Sequence, residues 1–160
     1  MAAAVFLGVA AAASAGTFYG RLQGREGDPN FSVFERADGT MVVRRFEVKH
    51  LPVTCTIDGG RPIATEMRVI VRRPLRVDGR SGHFAGKQKT LTDELLDFPE
   101  NASAVIASVK GDLDEGGRSA EGKIKVRTRG VQLEAEGPRV SECRTRGWIP
   151  WRASNPLLGD

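Results

Sequence analysis

From residue 17 onward, apolar and polar residues alternate with a period of two, and turn signals interrupt the alternation. A period of two is the signature of strands with one face buried. Thr17–Gly24 places Phe18, Gly20 and Leu22 on one face; Asn30–Ala37 places Phe31 and Val33 together. Asp38-Gly39 predicts a hairpin turn. Met41–His50 sets Val42, Phe46 and Val48 against Arg45, Glu47 and Lys49, and Pro52 weakens the ladder just before Cys55. Asp58-Gly59-Gly60 predicts a further turn. Met67–Arg72 then aligns Met67, Val69 and Val71 against Arg68, Ile70 and Arg72. Asp78-Gly79 turns the chain into a short strand, Gly82–Lys89, through Phe84.

Thr90–Ser103 breaks the pattern: Leu91, Leu95 and Phe98 fall at helical spacing and Pro99 ends the run. This predicts one short helix or loop near 91–98. Alternation returns with Val105, Val109 and Leu113. It crosses the turn Asp114–Gly117 and continues through Ala120, Gly122, Ile124 and Val126, then Val131, Leu133 and Ala135. Val140–Arg144 and Trp148–Ala153 close the series. A unit of the form x-Gly-x-apolar recurs at Gly20, Gly111 and Gly122. Glycine inside a strand marks a bulge, a bend or a close backbone approach, which suits a strongly coiled sheet. The expected fold is all-β: an antiparallel meander of about eight or nine short strands closed as a small barrel, with a two-sheet sandwich as the alternative.

The first fifteen residues, MAAAVFLGVAAAASA, follow a different rule. Their apolar run is shorter than the roughly 20 residues a membrane-spanning helix needs. Ala13-Ser14-Ala15 is a small-x-small site of the kind signal peptidase cuts. The division expected is a signal peptide over 1–15, a single β domain over 16–154 and a flexible tail over 155–160, with no transmembrane segment in the mature protein. No Lys or Arg precedes Arg21, which is simplest explained by a natural start upstream of Met1. The leader also changes the meaning of the composition. Apolar residues make up 40% of the 160-residue chain. Without the leader the share falls to about 35%, a lean core. Export to an extracellular, periplasmic or cell-envelope location makes a Cys55–Cys143 disulfide the default, since the chain has two cysteines and no C-x-x-C.

Three stretches resemble a family of small secreted β-rich bacterial proteins, frequent in actinobacteria. They are Cys55, the hairpin Val109-Lys110-Gly111-Asp112-Leu113 with Ala120-Glu121-Gly122-Lys123-Ile124-Lys125-Val126, and a final segment with Cys143, Gly147, Trp151 and Ala153. The family's ending is C-x-x-G-x-x-x-W-x-A; here one extra residue precedes Gly147. The resemblance implies secretion, a β fold and the disulfide. It implies no activity and no site residues.

Candidate chemistry is sparse. There is no Gly-x-Ser-x-Gly elbow, no His-Glu-x-x-His and no phosphate-cradling glycine loop. The two histidines, His50 and His83, read as surface or packing residues. Asp112, Asp114 and Glu115 surround a turn without the spacing of a calcium loop. Asp93, Glu94, Asp97 and Glu100 read as a solvated face rather than a glycosidase pair. The expectation is no catalytic residue, no metal and no cofactor. Trp148 and Trp151 are candidate stacking residues for a ligand, with packing as the competing role. Asn30 and Asn101 head glycosylation patterns that matter only in a eukaryotic secretory pathway.

Charge placement is more informative. The net charge of +4 hides a block of +6 over 61–89 beside −6 over 90–121. Lys123, Lys125, Arg127 and Arg129 occupy alternate positions, so they share one strand face. Arg68 and Arg72 share another, beside Arg73. An exported basic face attracts anionic polymers such as an anionic polysaccharide or wall polymer; location and few exposed aromatics argue against nucleic acid. The expected function is therefore a non-enzymatic binding or structural domain at the cell envelope. The alternatives are a barrel holding a small apolar ligand among Phe31, Phe46, Val69 and Val105, and a small secreted hydrolase or inhibitor.

Overall fold

The computed structural model describes residues 15–24, 27–57, 60–90, 104–132 and 139–158. Residues 1–14 of the leader expected over 1–15, the turn at Asp58-Gly59, the helix or loop near 91–98 and the inward positions Leu133 and Ala135 lie outside the described residues. So do Asp93, Glu94, Asp97, Glu100 and Asn101, and the side chains of Val105 and Arg129.

Among the described residues ten strands follow one another: β1 (Gly16–Leu22), β2 (Asp28–Glu35), β3 (Met41–Ile57), β4 (Pro62–Val71), β5 (Leu75–Arg76), β6 (His83–Thr90), β7 (Ala104–Leu113), β8 (Ser119–Gln132), β9 (Arg139–Arg144) and β10 (Ile149–Ser154). All pairings are antiparallel. Six strands form a ring without a free edge, in the order β1, β2, β3, β9, β8, β10 and back to β1. This is the barrel, and its closure excludes the open sandwich. β4 and β5 extend from the other side of β3, while β7 and then β6 extend from β8. The two extensions meet at a bridge between Val77 and Phe84.

Short-range chemistry sets the turns. Gly39 takes a φ of +78°, and the Asp38 carboxylate accepts the Thr40 backbone N–H at 2.9 Å. That bond holds the Asp38 carboxyl below its ordinary range. Asp78 accepts the backbone N–H groups of Arg80 and Ser81, both at 2.9 Å, and its carboxyl is lowered chiefly by the Ser81 bond and then the Arg80 bond. Asp114 likewise accepts the Arg118 N–H at 2.7 Å across the Asp114–Gly117 turn. Asn155, where the tail was expected to begin, is buried and donates its backbone N–H to the Arg118 carbonyl at 2.8 Å. A 3-10 turn over Pro156–Leu158 follows it.

β3 departs from simple alternation. Arg45 and His50 have φ of +48° and +54°. The register slips beside each: Ser32 faces Arg44 while Asn30 faces Glu47, and Val48 faces Val69 while Leu51 faces Met67. Each slip is a β-bulge, one extra residue that reverses the parity of everything after it. The core-facing set thus becomes Val43, Phe46, Val48, Leu51, Val53 and Cys55. Val42, expected on the face of Phe46 and Val48, is buried outside that cluster, because the Arg45 bulge lies between them.

The interior is filled by rings. Phe31 stacks on Phe18 at 4.9 Å and on Phe46 at 5.3 Å between centroids. Trp151 packs edge-on against Phe31 at 5.6 Å and tilted against Phe46 and Phe84 at 5.1 and 6.1 Å. Gly111 and Gly122 face each other across β7 and β8, and a Cβ on either would meet the Trp151 indole at 2.5–2.7 Å. A Cβ on Gly20 would meet the backbone of Arg152 and Ala153. The repeated glycine unit therefore makes room for β10 and its tryptophan.

Cys55 and Cys143 are register partners on β3 and β9 and form a buried disulfide spanning 88 residues. Chain-entropy arguments predict that C55A/C143A loses about 4–5 kcal/mol, which a domain of this size registers as a fall of roughly 15 °C in melting temperature; calorimetry checks it. Gly122→Ala should cost about 1–3 kcal/mol by overpacking. Gly79→Ala, where a Cβ meets nothing within 4 Å, should be nearly neutral in the same denaturant titration.

Candidate functional site

The barrel's outer surface over β6, β7, β8 and β10 carries the candidate site. Phe84, Ala107, Val109, Ile124 and Val126 point inward. Their neighbours Lys87, Lys110, Lys123, Lys125 and Arg127 must therefore point outward, and all five are exposed. The register joins them. Lys110 faces Lys123 directly, and Lys123 faces Pro150. One row along, Lys87 faces Ser108, which faces Lys125. Directly opposed residues have Cβ atoms about 5 Å apart, so like charges there repel. Among the described residues none of Lys87, Lys110, Lys123 and Lys125 has an acid partner within ion-pair distance. Lys110 Nζ lies 5.2 Å from the centre of the Trp148 ring, which is 42% exposed.

The next row is mixed in sign. His83, Asp112, Glu121 and Arg152 line up across β6, β7, β8 and β10. His83 Nδ1 lies 2.7 Å from Asp112 Oδ1, and Arg152 Nε donates to Glu121 Oε2 at 3.2 Å. The lysine row and this row border an open groove of about 390 Å³, floored by Gly111 and Gly122.

Of the seven cations expected to bind anions, the six whose side chains are described do not form one patch. Lys123, Lys125 and Arg127 form a strip on β8, with Arg127 held by Glu142 at 2.8 Å. Arg68 instead donates to Glu47 Oε1 at 2.7 Å, and Glu47, itself buried, also meets Arg45 at 3.5 Å. Its role there is to neutralise a buried carboxylate. Arg72 and Arg73 sit on the link between β4 and β5, where their backbone N–H groups donate to Gln88 Oε1 at 2.7 and 3.0 Å. Gln88 ties that link to β6 and brings both arginines beside the strand that carries Lys87. Lys87 and Lys110, absent from the expected set, complete the patch. Alternation could have turned each outward; only the pairing of β6, β7 and β8 reveals that they join Lys123 and Lys125.

Trp151, expected beside Trp148 as a stacking residue, is fully buried in the aromatic cluster and presents no face to a ligand. The apolar series Ile149, Trp151, Ala153 was the available signal. His50 lies 2.9 Å from Glu66, apart from the groove. Among the described residues no three His, Cys, Asp or Glu side chains group as a metal site.

Comparison with protein-family models, with curated proteins and with solved structures finds no match.

The Arg68 assignment has a direct check. Arg68→Met leaves Glu47 buried with a weaker partner and should cost about 1–3 kcal/mol. Lys125→Met should cost less than about 0.5 kcal/mol. Urea unfolding of both variants separates the supporting cation from the free one.

Proposed function

We propose that this protein is a secreted, non-enzymatic binding module of the bacterial cell envelope that holds an anionic polymer against the outer face of β6, β7 and β8. One observation carries the reading: four exposed lysines on three adjacent strands, two of them directly opposed, without acid partners among the described residues. Opposed like charges cost stability. A polyanion laid across them relieves the repulsion and gains Coulomb attraction. The disulfide is compatible with an oxidising compartment, and among the described residues no helix is long and apolar enough to cross a membrane. Phe31 and Phe46 stack directly on each other and Trp151 packs against both, which disfavours the apolar-ligand barrel.

A second reading has one observation in its favour. His83 and Asp112 form a close pair beside Glu121 in the same groove, the elements of acid–base chemistry on a bound polymer. Among the described residues the groove is lined by no Ser, Thr or Cys nucleophile, so that chemistry would act through water.

The test is retention of the 16–160 chain on immobilised heparin. Retention at low salt should weaken steeply by about 0.3 M salt, where screening shortens the reach of surface charge. K123Q/K125Q should elute earlier with a melting temperature equal to or slightly above that of the wild type, since the Lys110–Lys123 repulsion is gone. No retention at low salt would sink the binding reading; shortening of the polymer on incubation would favour the hydrolase.

A further inference from the structure

The two rows that border the groove differ in what they ask of a ligand. Lys110 and Lys123 offer only donors and positive charge. Asp112 and Glu121, opposed to each other one row away, offer acceptors. Asp112 engages His83 through Oδ1 and Glu121 engages Arg152 through Oε2. Oδ2 and Oε1 keep acceptor capacity, and both side chains are more than 60% exposed. Rows of outward residues on one strand repeat about every 6–7 Å. A bare polyanion, with charge at every unit, gains at the lysine row and is repelled at the carboxylate row. A chain of sugars that alternates an acidic group with free hydroxyls satisfies both: the acid meets Lys110 and Lys123, and hydroxyls donate to Asp112 and Glu121. Trp148 lies outside the groove's lining and carries Lys110 Nζ over its ring, 5.2 Å from the centre. The groove's 390 Å³ falls in the range of sites that hold small ligands.

We infer that the groove between the Lys110–Lys123 row and the Asp112–Glu121 row selects an anionic polysaccharide bearing free hydroxyls over a polyanion without them. This deepens the binding reading and rests on it.

Binding of the 16–160 chain to polygalacturonate and to linear polyphosphate of matched charge tests it, by calorimetric titration at fixed low salt. The wild-type chain should bind polygalacturonate about tenfold more tightly, the scale of one hydrogen bond to a charged group. D112N/E121Q should gain about tenfold on polyphosphate and lose the preference. Equal wild-type affinities, or a variant that shifts both polymers alike, would overturn the inference while leaving the basic-face reading in place. Binding to neither polymer would overturn both.

Discussion

The structure depends on how one tryptophan is seated. Trp151 lies over Gly111 and Gly122, and its indole links Phe31, Phe46 and Phe84. A chain with 6% aromatic residues has few large side chains, and placing five of them in one cluster is how it fills a barrel. The seat exists only if two glycines stand opposite each other. That requirement fixes the pairing of β7 with β8 to the residue. The residues beside the glycines are then fixed as well: Lys110 meets Lys123 and Asp112 meets Glu121 on the outer surface. The interior packing and the surface charge rows are two sides of the same register.

The disulfide and the ion pair of Glu47 work at other places in the same frame. Cys55 and Cys143 join β3 to β9, the short strand that links β3 to β8 around the ring. Arg68 and Arg45 neutralise Glu47, which the Arg45 bulge leaves outward yet covered. These contacts draw two arginines away from any surface role. The lysines of β6, β7 and β8 keep their charge without an acid partner among the described residues, beside a groove with acceptors of its own.

Much of the fold was legible in the chain. Period-two alternation gave the strands, Asp-Gly and glycine turns gave the hairpins, and the even cysteine pair gave the disulfide. The parity of β3 was not legible, because its bulges fall at Arg45 and His50, residues with no turn signature. The charge patch was legible only in part. Lys123, Lys125 and Arg127 share a face by spacing within one strand. Lys87 and Lys110 join them through pairing across strands, which no single strand's pattern encodes. Arg68 looked equivalent to the others by spacing, yet its fate was set by a carboxylate 21 residues away. Trp148 and Trp151 looked alike by type, and alternation alone separated the exposed ring from the buried one.

The central claim is that one register both packs the tryptophan and sets lysines without acid partners among the described residues face to face for a polyanion. Lys110→Glu tests it most directly, by converting the Lys110–Lys123 repulsion into an attraction. Melting temperature and heparin retention are measured on the same sample. The account predicts a rise in stability of about 0.2–1 kcal/mol together with earlier elution. A fall in stability with unchanged retention would contradict it.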